Sequence, residues 1–109
     1  MEWYIYENGK TIGKTGSENG SIIEDIGNVN GARITLEKDG AIAPFAITFG
    51  IHGLLVHTHF EHDEIKAKIY IDEVKQKMEV FFTRLESEEG INNIEWKDYY
   101  NQVLSGLVD

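Results

Sequence analysis

The sequence has no cysteine, a single proline and no apolar run long enough to cross a bilayer. Without cysteine, disulfides, thiolate nucleophiles and cysteine-based zinc or iron–sulfur sites are excluded. Basic residues are also scarce: 10 against 19 acidic, a net charge of −9. A chain of that charge repels phosphate backbones unless its lysines gather into a stripe. They do not. Lys66, Lys68, Lys75 and Lys77 alternate with Asp63, Glu64, Asp72, Glu73 and Glu79, the pattern of a solvated helix face, so no nucleic-acid partner is expected. The opening M-E-W-Y-I-Y-E-N-G has neither a charged n-region nor an apolar h-region. The expectation is a cytoplasmic protein with no membrane partner, in which Asn19-Gly20-Ser21 is a turn and not a glycosylation acceptor.

Catalytic patterns are thin as well. Ser17, Ser21, Ser87 and Ser105 fall in turn or terminal settings, with no strand-to-helix elbow to expose a nucleophile. Gly9 stands one residue too near Gly13-Lys14-Thr15 for a P-loop, and no helix pattern follows. Glu24-Asp25 and Glu88-Glu89 read as solvated charge in so acidic a chain.

What is present is turn chemistry followed by helical periodicity. Asn8-Gly9, Asn19-Gly20, Asn30-Gly31 and Asp39-Gly40 are hairpin signals, because their residues tolerate positive φ. Strands are predicted at Trp3 to Glu7, Lys10 to Lys14, Ser21 to Ile26, Ala32 to Lys38, Ile42 to Gly50 and Leu54 to Glu61, the second being weak. From Asp63 to Glu86 the stripe Ile65, Ile69, Val74, Met78, Phe81 and Leu85 has helical spacing, and Gly90 ends it. Asn92-x-x-Glu95 then resembles a capping box for a second, shorter helix with Trp96, Tyr99, Val103 and Leu107 on its face. The fold class expected is α+β: one domain spanning 1-109, with an antiparallel meander of five to six strands (1-61) and two C-terminal helices (62-109) packed on one face.

Two-residue loops at Asp39-Gly40 and His52-Gly53 would pair Ile34 with Phe45, Phe49 with Val56 and Phe45 with Phe60. One face then carries Ile34, Leu36, Phe45, Ile47, Phe49, Ile51, Leu54, Val56 and Phe60, and the long helix is expected to cover it. Two such loops have incompatible parity on a central strand, so one must be longer or bulged, and Pro44 adds to that pressure.

The stretch L-V-H-T-H-F-E-H-D-E, from Leu55 to Glu64, holds the candidate site. His57 and His59 share one strand face about 7 Å apart, with Glu61 next along it. With a further ligand such as Glu37 or His62 they would suit a divalent metal such as zinc. Arg33, expected on the same outward face, opposes a cation there. A polar wet face explains the same residues without metal. Ile42, Pro44, Ala46, Thr48, Gly50 and Leu55 make that outward face flat and apolar, to be covered by Trp3, Tyr4 and Tyr6 or by a second copy in a homodimer. The leading functional expectation is a small acidic non-enzymatic binding domain, with no catalytic residues and no cofactor, that engages a basic protein partner. The alternative is a small metalloprotein or metal-dependent enzyme using His57, His59 and Glu61.

Overall fold

The structure is a computed structural model and describes residues 2–51 and 56–87. Its strands are β1 (Tyr4–Ile5), β2 (Ser21–Gly27), β3 (Ala32–Lys38), β4 (Phe45–Ile51) and β5 (Val56–Glu61), followed by helix α1 (Glu64–Ser87). The strands form one antiparallel sheet in the order β1-β2-β3-β4-β5. The α+β class and the meander therefore stand, with five strands. The weak segment at Lys10 to Lys14 is not a strand: it follows a short 3-10 turn over Tyr6–Gly9 and is itself turn. A single large apolar side chain, Ile12, is left 45% exposed there, too little to hold a strand on a core. The second helix lies outside the described residues, as do His52, Gly53, Leu54, Leu55 and the Leu85 side chain.

The chain divides into two compact units, Met1–Ile71 and Asp72–Asp109. In the first, the loops set the register. Asn28 Oδ1 accepts hydrogen bonds from the N–H groups of Asn30 and Ala32, and Gly31 adopts φ +88° to close the β2–β3 turn. The β3–β4 connection is longer than the sequence suggests, because Lys38 pairs with Phe45 and leaves Asp39 to Pro44 as a loop, closed by the Asp39 N–H on the Pro44 carbonyl. That change is even, so Ile34 and Leu36 still share a face with Ile47 and Phe49.

Between β4 and β5 the register differs from expectation by one residue. Phe49 pairs with His57, Ile47 with His59 and Phe45 with Glu61, while Gly50 meets Val56 and Ala46 meets Phe60. A slip of one residue exchanges the faces of a strand. His57, His59 and Glu61 therefore stand on the Ile34/Ile47/Phe49 side, and Val56 and Phe60 on the other, where they are 67% and 37% exposed.

The first turns of α1 cover the former side. Asp63 caps the helix, its Oδ1 accepting the Lys66 N–H at 2.8 Å. Ala67, Tyr70 and Ile71 are buried, and the Tyr70 ring lies 6.0 Å from Phe49 and 3.7 Å from the His59 ring, stacked on the latter. Burial of each large apolar side chain in such a layer contributes roughly 1.5–3 kcal/mol. Ile65 and Ile69, expected on the buried stripe, are exposed instead. Positions 67, 71, 74 and 78 are buried and share one row of the helix, and 65 and 69 fall beside it.

In the second unit, Val74, Met78, Phe81 and Phe82 are buried, and the Phe81 and Phe82 rings meet edge-on at 5.4 Å.

Candidate functional site

The sheet face opposite the start of α1 is polar in its centre. Pairing places Asp25, Thr35, Thr48 and Thr58 in one row across four strands. Asp25, which the sequence reads as solvated charge, is only 2% exposed. Its carboxylate is a hub: it accepts a hydrogen bond from Thr11 Oγ1 at 2.8 Å and takes Arg33 through Nε at 2.9 Å and Nη2 at 2.6 Å. Thr35 Oγ1 lies 3.4 Å away. The Arg33 guanidinium also sits 3.9 Å over the Tyr6 ring. The Asp25 hydrogen bond raises the Arg33 pKa above its ordinary value, so the guanidinium is held in its charged form. The contribution of that raised arginine pKa is present below the usual arginine range and is lost as pH climbs through the raised value.

Glu37 is the second buried acid, 1% exposed. Its carboxylate accepts the N–H groups of Glu18 and Gly20, each at 3.1 Å, and so ties the 13–20 segment to the sheet. Gly16 is required beside it, because a Cβ there would overlap the carboxylate. A small ladder completes the segment, with Gly13 N–H on the Ile22 carbonyl and Ile22 N–H on that of Lys14.

These attachments build a cavity of about 680 Å3. The floor is Arg33, Thr35, Glu37, Thr48 and Gly50, and the walls include Tyr4, Tyr6, Thr15 and Ser17. Tyr4 and Tyr6 thus lie beside Thr48 and Gly50, two residues of the surface expected to be covered. Ile42 and Val56, on or beside that surface, remain open, 71% and 67% exposed.

The predicted metal residues lie on the helix side, and Glu37 and Arg33 on the cavity side. Glu37 therefore does not converge with the histidines, and Arg33 does not confront them. His59 Nε2 bonds Glu61 Oε1 at 2.8 Å while its ring stacks on Tyr70. His57 stacks on Phe49 with ring centroids 5.6 Å apart, and its Nε2 is buried with no hydrogen-bond partner among the described residues. His62 is exposed in the bend before α1. Among the described residues no group of three His, Cys, Asp or Glu side chains is arranged to hold a metal ion.

Sequence reasoning missed Asp25, Glu37 as an anchor, and the cavity itself. A two-residue turn at Asn30-Gly31 would oppose Asp25 to Leu36 and send Arg33 to the other face, whereas the observed pairing of Asp25 with Thr35 and of Gly27 with Arg33 puts the two on one face. No family of known proteins, no curated protein and no solved structure matches this chain. No described helix is long and apolar enough to cross a membrane.

Proposed function

We propose that the chain is a small acidic non-enzymatic binding domain that engages a basic protein partner along the β5 edge. The observation that carries this reading is the exposure of Val56 and Phe60 on the last strand of the described sheet, in a chain of net charge −9. Edge strands are ordinarily protected by charge, bulges or cover, because their backbone groups template a further strand. An extended segment adding to β5 would meet Val56 and Phe60 with alternate side chains. Two copies of the chain would bring −9 against −9, whereas a basic segment is drawn in by the same charge, which favours a basic partner over a homodimer. A binding role is also supported by the state of the polar groups: Asp25, Arg33 and Glu37 are committed to one another or to backbone N–H groups, leaving no poised acid–base pair among them.

The test is a titration of the full chain with a capped hexapeptide alternating lysine and valine, followed by amide chemical shifts. Shifts centred on residues 56–61, weakening as salt rises from about 50 mM to about 500 mM and lost in Phe60→Lys, are expected. Binding indifferent to both changes, or no binding at all, defeats the reading.

A second reading, a divalent metal such as zinc on the helix side, is favoured by the unpartnered His57 Nε2 near the His59–Glu61 pair. If zinc, nickel or manganese raises the melting temperature and His57→Ala with His59→Ala abolishes the rise, metal binding gains. No response to metals or chelator removes it.

A further inference from the structure

The cavity beneath Tyr4 and Tyr6 is independent of the β5 edge reading and has a chemistry of its own. At about 680 Å3 it falls within the range of small-molecule sites. Its charges are spent. Arg33 is held by two bonds from the fully buried Asp25 side chain, so the guanidinium offers no net positive charge to an anion. Glu37 is occupied by the Glu18 and Gly20 N–H groups, so its carboxylate is not free for a cation. The surrounding charge of −9 further disfavours anions.

What the cavity does offer is hydroxyl groups and apolar patches side by side. Thr15, Ser17, Thr35 and Thr48 line it together with Tyr4 and Tyr6. The Thr35 and Tyr4 hydroxyls donate to Asp25 and to the Asn28 carbonyl and Thr48 shares one hydrogen bond with Thr58, and because a hydroxyl has one proton and two lone pairs, each of these keeps accepting capacity for a ligand. Asp25 engages Arg33 Nε and Nη2 and leaves the Nη1 amine as an additional donor. Ile22, Ile51 and Val56 supply apolar surface to the same cavity. Groups of both hydrogen-bonding senses, set among C–H surfaces and without net charge, complement a ligand that is itself neutral and carries several hydroxyls on a ring. We propose that this cavity binds a neutral polyhydroxylated ring compound of mono- or disaccharide size, with Thr48 and Thr35 among its hydrogen-bonding contacts.

The experiment titrates the full chain separately with lactose, maltose, cellobiose and myo-inositol, then with inorganic phosphate, citrate and spermidine, while recording amide chemical shifts. At least one neutral probe is expected to give saturable shifts at Thr35, Thr48 and Gly50. The nearly isosteric Thr48→Val should weaken that binding about five- to tenfold, the value of one lost hydrogen bond, with an unchanged circular dichroism spectrum. Saturation by phosphate, citrate or spermidine at these amides, with the neutral probes silent, overturns the ligand class. Silence from every probe overturns the site. Shifts confined to residues 56–61 would also overturn it, and the β5 reading is scored separately by its own peptide titration.

Discussion

The two sides of this sheet are held by different physics. On the helix side Ile34, Leu36, Ile47 and Phe49 are at most 1% exposed, and Phe49 meets Tyr70 from α1, a layer stabilised by area removed from water. On the cavity side the buried groups include the polar Asp25, Thr35 and Glu37, and the covering segment is attached by hydrogen bonds to two carboxylates. The first kind of layer tolerates reshaping if volume is kept, whereas the second fails when one partner is removed, because a buried polar group is left unsatisfied.

Truncation at the centre of the apolar side is expected to have the largest effect. Phe49→Ala should cost about 3–5 kcal/mol in chemical denaturation, and a cost near zero would mean that this side is not the main core. Next comes the polar side: Arg33→Ala strands the Asp25 carboxylate and should cost about 2 kcal/mol, less than for a fully buried pair because the Arg33 side chain is 42% exposed. Arg33→Lys should recover little of this, since an ammonium cannot reproduce the two-pronged bond or the stacking on Tyr6. A similar loss from Phe49→Leu and Arg33→Lys, measured together, would erase the distinction between the sides. Gly16→Ala, which forces the Glu37 carboxylate away from its N–H donors, should cost about 1–2 kcal/mol and speed amide exchange at Glu18 and Gly20 while sparing β3 and β4. Asp63→Ala, at the helix start, should cost about 1 kcal/mol. Smallest is Thr58→Val, which removes one exchange with Thr48 at 3.2 Å on a half-buried site and should stay within about 0.5 kcal/mol.

The class, the meander and the position of the long helix were legible because they rest on periodicities of 2 and 3.6 and on turn residues with a conformational reason. The faces of β5 were not. Val56 and Phe60 read as core by composition, yet Val56 pairs with Gly50 and Phe60 with Ala46, and the histidines take the inward positions. An imidazole stacked on Tyr70 or Phe49 is acceptable in a core, so residue type alone could not decide between the two parities. The loop count decides it, and a loop that is not a two-residue turn carries a weaker sequence signature. Asp25 and Glu37 were illegible for a related reason: Asp25 beside Glu24, and Glu37 on a polar strand face, look solvated until the backbone that will wrap them is in place. Arg33 could be put on a face, but its partner depended on the β2–β3 register that Asn28 and Gly31 establish.

The covering of the cavity is one uninterrupted connection between β1 and β2, roped to the sheet at Asp25 and Glu37 and contributing little to strand order. Scaffold and covering are therefore separable in heredity. Wherever Gly16 and the Glu18 and Gly20 N–H groups keep their places on Glu37, the remaining letters of residues 12–19 could change and reshape the hollow while the four long strands continue to assemble as before.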